Sequence, residues 1–246
     1  MSPPSASPEQ QASEVPEHSK RREMSEGLGD EALGVAAGAL ARWRGPAGAV
    51  TVVAVDGHGA SGKSTIAGQL CSLSGATVVH TDDFFLPLSL SSPERMQRLE
   101  GYYDLARLRA EALEPLKDGR EAVFRAYNWE SGTLSPRTKR VCPEGLVVLE
   151  GVCSSSPELS DLVDKTVYVH TPESERLGRL RARVAPQEWD SDWLRAEKEY
   201  FARVRPLQSF DLVIRGSRTT PLVRREARVP DEGGRAGISS KKRDRR

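Results

Sequence analysis

The chain has no paired cysteines, no long apolar run and no excess of charge of either sign, and each absence narrows what it can be. Its three cysteines, Cys71, Cys142 and Cys153, stand far apart and form no C-x-x-C pair. Neither a disulfide framework nor a zinc site is indicated, and a reducing, cytoplasmic compartment is expected. No uninterrupted apolar stretch approaches the about 20 residues needed to cross a bilayer, so no membrane partner is expected. The first residues, MSPPSASPEQQASEVPEHSKRRE, lack an apolar core and do not read as a secretory signal. Lysine and arginine total 36 against 35 acidic residues, a balance that argues against a nucleic-acid partner. What remains is a chain of 246 residues, long enough for one large domain with tails and a core that needs no disulfide or structural metal.

The two ends differ from the middle. Residues 1–25, rich in Ser, Pro, Glu and Gln, read as a disordered tail. Residues 224–246, RREARVPDEGGRAGISSKKRDRR, read as a basic, solvated tail rather than a tether. In the intervening domain, 26–223, apolar β-branched runs alternate with longer amphipathic stretches. The runs are residues 49–55 (AVTVVAV), 77–80 (TVVH), 146–149 (LVVL), 166–169 (TVYV) and 212–214 (LVI). Near-continuous apolar strands separated by helical segments are buried on both faces, which predicts a doubly wound α/β fold with a mostly parallel sheet.

The first run leads into Gly57-His58-Gly59-Ala60-Ser61-Gly62-Lys63-Ser64-Thr65. This fits G-x-x-x-x-G-K-[ST], with an apolar strand before it and a helical stretch after it, the context that phosphate binding requires. The glycines let successive N–H groups turn inward as an anion nest, and a helix starting near Lys63 adds its positive end to the same place. Lys63 can reach the β- and γ-phosphates of ATP, and the Ser64 hydroxyl can meet Mg²⁺. His58 occupies a variable position of the loop and needs no role.

Ligands of open α/β sheets sit beyond the carboxyl ends of the strands. The second run ends in Thr81-Asp82-Asp83-Phe84-Phe85, so both aspartates fall on the rim that carries the loop. Strand alternation would turn one carboxylate toward the phosphates, where it could take the proton of an attacking hydroxyl, or it could instead cap the next helix. The LVVL run delivers Glu150 and Gly151 to the same rim, where the carboxylate would hold Mg²⁺ directly or through water. Arg176, Arg179 and Arg183 share one helical face and can clamp phosphates, with Arg181 on another face. Trp189, Trp193 and Tyr200 form a stripe with Ala196 and Glu197 that reads as core packing.

Taken in order, VDGHGASGKST, TDDFF, YYDLARLRAEALEPLKDG, YNW, LEGV and SERLGRLRARV resemble the uridine kinase group of P-loop kinases, relatives of pantothenate kinase and phosphoribulokinase, over roughly residues 35–216. The resemblance implies an ATP- and Mg²⁺-dependent transferase with a small helical lid, whose partner is a small-molecule alcohol, most simply the 5′-hydroxyl of uridine or cytidine; a homo-oligomer is compatible with it. It makes Asp82 the general base, Glu150 the Mg²⁺ assistant and Arg176, Arg179 and Arg183 the lid arginines. Phe85, Tyr103, Asp104 and Tyr127 fall in the acceptor pocket, where Asp104 would accept bonds from vicinal ribose hydroxyls. Two segments depart from the family pattern. Where characterised uridine kinases carry F-D-H-P, this chain has Tyr103-Asp104-Leu105-Ala106, and its Tyr127-Asn128-Trp129-Glu130-Ser131-Gly132 has Asn for Asp and no His. These positions select the acceptor, so the departures bear on which alcohol is used. The other readings are a kinase of this fold for another acceptor, such as pantothenate, and a nucleotide-binding switch with little transfer.

Overall fold

Seven strands organise the described residues: β1 (Thr51–Asp56), β2 (Thr77–His80), β3 (Ala122–Asn128), β4 (Thr133–Val141), β5 (Leu146–Glu150), β6 (Lys165–His170) and β7 (Leu212–Arg215). They belong to a computed structural model that describes residues 30–87, 90, 92–183 and 190–216; the expected tails and Trp189 lie outside the described residues. Five strands form one sheet in the order β2-β5-β1-β6-β7, with every neighbouring pair parallel. They coincide with the five apolar runs of the sequence. No helix among the described residues is long and apolar enough to cross a membrane.

Side-chain alternation along these strands divides the core in two. Val53 and Val55 of β1, Leu146 and Val148 of β5, and Val167 and Val169 of β6 pack on one face against Ala36, Ala39 and Leu40 of α1 (Asp30–Trp43) and Ile66, Ala67 and Leu70 of α2 (Lys63–Ser74). Their alternates, Val52, Val147, Leu149, Val79 and Tyr168, pack on the opposite face. There the cover is α3 (Leu105–Leu108), a π segment (Arg109–Leu113) and α4 (Glu114–Lys117), which run on as one rod, with α6 (Asp190–Glu199) and the Tyr200–Val204 π turn beside it. Pro115 cannot donate a backbone bond to the turn before it, where the rod widens to π. Each fully buried Val or Leu contributes about 1.5–3 kcal/mol, so both layers are held by the same periodicity that builds the sheet.

The remaining strands, β3 and β4, pair antiparallel as a separate hairpin that the sequence reading did not identify. Strand β3 alternates cleanly, with Ala122, Phe124 and Ala126 buried and Val123 and Arg125 exposed. Strand β4, TLSPRTKRV, is mostly exposed and carries Pro136 and three basic residues, so it has no apolar alternation to read. Helix α5 (Glu173–Arg183) follows β6 and brings the arginine-rich segment back over the rim.

Candidate active site

The loop after β1 is shaped by residues in left-handed backbone: Gly57 at φ +146°, Ala60 at 60° and Gly62 at +97°. A Cβ on Gly57 would stand 2.6 Å from the Val169 carbonyl oxygen, so only glycine fits there. Gly62 precedes α2 without a side-chain cap, and the first N–H groups of the helix face the loop. The loop is braced from outside by Thr171 Oγ1, which donates to the Ser61 carbonyl (2.8 Å), and from inside by Lys63 Nζ, which donates to the His58 carbonyl (2.9 Å). Lys63 is buried, and Ser61 Oγ is buried without a hydrogen-bond partner. A curled backbone, a buried ammonium and an unpaired hydroxyl form a cradle whose chemistry fits an anionic ligand.

Alternation explains which rim residues meet. Val79 and Leu149 point to the α3–α4 side, so the next residues, His80 and Glu150, point to the α2 side, where helix α2 presents Ser64. Ser64 Oγ donates to Glu150 Oε1 at 3.0 Å, and His80 Nδ1 lies 2.7 Å from Glu150 Oε2. Burial pushes the Glu150 carboxyl up, but the His80 hydrogen bond, the Lys63 charge and the Ser64 bond together bring it below the usual range, so it is ionised. Gly151, at φ +136°, follows directly; a Cβ there would overlap Thr81 Oγ1.

Asp82 sits in a 3₁₀ turn, Thr81–Phe84, rather than on the strand, so the strand-alternation argument for its direction does not apply. Neither aspartate side chain caps the turn. The Asp82 side chain is open to solvent yet ringed by protein, as in a cleft, and Tyr103 OH donates to its Oδ1 at 3.4 Å. Desolvation by that surround, then the negative charge of Glu150, raise its pKa above the ordinary Asp value, against the pull of Lys63. Asp83 is turned the other way: its carboxylate meets Lys139 Nζ of β4 at 2.7 Å, and its carbonyl accepts from Arg107 Nη2 at 3.2 Å. The turn bearing Asp82 is thereby fastened to the β3–β4 hairpin.

Beyond Asp82 lies a cluster of rings centred on Phe85, with centroids 5.7 Å from Tyr103, 5.3 Å from Tyr127, 4.6 Å from Trp129 and 6.3 Å from Trp193. Phe85 and Tyr103 are buried, Tyr127 is half-buried, and Trp129 is 54% exposed at the hairpin tip. Asn128 Oδ1 holds that tip by accepting from the Glu130 and Ser131 amides. Asp104 lies at the start of α3. Its Oδ1 caps α3 by accepting from Arg107 N (3.0 Å), and its Oδ2 lies 3.6 Å from Arg107 Nε. Trp193 and Tyr200 pack into the core on the α6 side.

The arginines reach the loop through protein partners. Arg176 is buried and pairs with Glu197 of α6 at 3.1 Å, and Glu197 Oε1 accepts the Gly59 N–H at 2.6 Å. Arg179 donates to the carbonyls of Ala60 (3.3 Å) and Gly216 (3.1 Å) and pairs with Glu175. Arg181 is exposed, and Arg183 ends α5 with its side chain outside the described residues. His58 is packed on Phe201 (4.3 Å between centroids) and bonded to Tyr168 OH (2.8 Å); burial, then the charges of Arg176 and Lys63, bring its pKa down to about 3, so the ring is neutral.

No protein-family model matches the chain. Uridine kinases of Staphylococcus aureus strains JH9 and Newman are each 27% identical over 142 residues, covering 55% of this chain and 69% of theirs. A possible uridine kinase from Bacillus stearothermophilus superimposes with a TM-score of 0.61 at 20% identity, over 75% of this chain and 97% of its own. In sequence and in fold the chain is similar to uridine kinases. A D-glycerate 3-kinase from Cryptococcus neoformans shares the fold at a TM-score of 0.53 and 16% identity, over 76% of this chain and 95% of its own.

Three further residues stand at the site without a role marked by the motifs. Asp56, the last residue of β1, is fully buried on the face opposite Glu150, where it accepts from Gly57 N (2.7 Å), Ser155 N (3.0 Å) and Ser155 Oγ (2.6 Å). Glu197 was legible only as a member of the aromatic stripe, and Trp129 only as part of the Tyr127-Asn128-Trp129 segment, with no role of its own. An acidic residue inside an apolar helical stripe is the signal that could have singled out Glu197.

Proposed function

We propose that the chain is an ATP-dependent kinase that transfers the γ-phosphoryl group to a hydroxyl of a small metabolite, with the 5′-hydroxyl of uridine or cytidine as the preferred acceptor. The observation that carries this reading is convergence: Lys63 and Ser64 from the loop, Glu150 from β5 and Asp82 from the turn after β2 share one rim, with the ring cluster beyond Asp82. The loop N–H groups and Lys63 bind the triphosphate, and the Ser61 hydroxyl gains a partner there. Ser64 Oγ and the Glu150 carboxylate are the groups that would hold Mg²⁺. Among the described residues no cluster of three or more His, Cys, Asp and Glu stands together, as befits a cation that keeps water and phosphate oxygens as its other ligands. Held by Ser64 and Glu150, Mg²⁺ would offset the negative charge that develops on the phosphates during transfer.

Asp82 accepts the acceptor's hydroxyl proton as its oxygen bonds to the γ-phosphorus and the bond to the β-phosphate oxygen breaks, which leaves ADP and a phosphate monoester. Trp129 and Tyr127 offer faces on which a planar base can stack. Asp104 keeps free acceptor capacity beside its bond to Arg107 N and its ion pair with the Arg107 guanidinium, so it can still accept from a ribose diol. The test is incubation with ATP and a panel of nucleosides, pantothenate and sugar-like alcohols, with products weighed by mass spectrometry. A nucleoside monophosphate supports the preferred acceptor, another phosphorylated alcohol replaces it, and the absence of any phosphorylated product overturns the kinase reading.

A further inference from the structure

The proposed cation site has a neighbour that the mechanism leaves unused. In the parallel pairing of β2 with β5, His80 and Glu150 are register partners, so their side chains leave the sheet side by side on the α2 face. Glu150 is 5% exposed and is held at both oxygens, Oε1 by Ser64 Oγ at 3.0 Å and Oε2 by the His80 ring at 2.7 Å. A carboxylate only accepts, so His80 carries its proton on Nδ1 and donates. Among the described residues the ring makes no other hydrogen bond, and its side chain is 39% exposed on the edge strand of the sheet. The bond therefore does little for the fold. What it does fix is the direction of a flexible side chain at the one place where Glu150 must present an oxygen beside Ser64.

We propose that His80 is a positioning residue, whose Nδ1–H aims the Glu150 carboxylate so that its free side completes a divalent-cation site with Ser64. This rests on the reading of Glu150 as the Mg²⁺ carboxylate. Groups behind a metal ligand hold its orientation, and their loss commonly weakens metal binding by about 10–100-fold.

The experiment uses the full chain with saturating ADP and Mn²⁺ as the probe, free Mn²⁺ being followed by electron paramagnetic resonance at one fixed pH. ADP affinity is measured separately in EDTA. His80→Leu, which keeps bulk and removes the donor, is expected to weaken Mn²⁺ binding about tenfold. His80→Asn, whose amide nitrogen falls near the position of Nδ1, is expected to stay within about threefold of the parent. ADP affinity in EDTA is expected to be the same for all. Glu150→Gln is expected to lose Mn²⁺ binding, and adding His80→Leu to it is expected to have no further effect, because His80 acts only through Glu150. Parent-like Mn²⁺ affinity in His80→Leu, with Glu150→Gln impaired, would refute the positioning role while leaving the site intact. Parent-like affinity in Glu150→Gln would remove Glu150 from the cation site, and the inference with it. Equal loss in Leu and Asn together with weakened ADP binding would show a merely structural residue, which also overturns the proposal.

Discussion

At the scale of single residues, the proposed chemistry turns on two carboxylates that their surroundings shift in opposite directions. Glu150 is held below the ordinary Glu value by His80, Lys63 and Ser64, while Asp82 is held above the ordinary Asp value by desolvation and by Glu150 itself. A general base works only when ionised, so kcat/KM should fall as pH drops through the raised Asp82 value, while Glu150 remains charged. The acid limb of a pH–rate profile is therefore expected above the range of a solvated aspartate, and Asp82→Asn should lower turnover at least about 100-fold and remove that limb. An acid limb at the ordinary aspartate value, or one that persists in Asp82→Asn, would take the base role away from Asp82. The motif residues were legible because the spacing of a phosphate loop leaves little choice: Gly57, Gly62, Lys63 and Ser64 could be read directly. Asp56, His80 and Glu197 were not, since their roles depend on which face of a strand or helix meets which neighbour, and on register, which a sequence does not display.

At the scale of elements, the site is held by contacts between segments distant in the chain. The Glu197–Arg176 pair joins α6 to α5, and the Gly59 N–H joins both to the phosphate loop. Burial raises the Glu197 pKa despite its cationic partner, so desolvation absorbs much of the attraction and the pair is not a large net source of stability. Removing one member is a different matter, because it strands the other charge in the interior. Glu197→Leu alone should lower unfolding free energy by about 3 kcal/mol in a urea titration, and Glu197→Leu with Arg176→Leu should cost less than the sum of the two single changes. Strict additivity would mean that the two side chains are not coupled. Gly151 is the second joint. Because a Cβ there would overlap Thr81 Oγ1, Gly151→Ala should displace the Thr81–Phe84 turn and lower both stability, by about 2 kcal/mol, and turnover. A variant with parent-like melting and turnover would show that the turn has room to move. The central strands were legible because burial on both faces leaves an unbroken apolar run. The β3–β4 hairpin was not, because β4 packs little of itself and carries Arg137, Lys139 and Arg140 where an alternating strand would carry apolar residues.

At the scale of the whole molecule, the sheet brings a nucleotide cradle, a candidate cation site and a candidate base to one edge, and the hairpin closes the far side with aromatic rings. The first three come from segments whose order along the chain resembles that of the uridine kinase family, which is why the likeness was legible in the sequence at 27% identity to uridine kinases. The acceptor side is where this chain departs from the family pattern, with Leu105-Ala106 and Asn128 at the relevant places and no His near Trp129, and the partners of Asp104 and Asn128 became visible only in three dimensions. The most direct measurement of the central claim is ADP formation from ATP by the parent chain and by Asp82→Asn, with and without uridine or cytidine. The account predicts ADP formation that depends on the nucleoside in the parent and collapses in Asp82→Asn while ATP binding is retained. Tight ATP binding with no acceptor-dependent ADP formation, across nucleosides and other alcohols alike, would contradict it and leave a nucleotide-binding switch in its place.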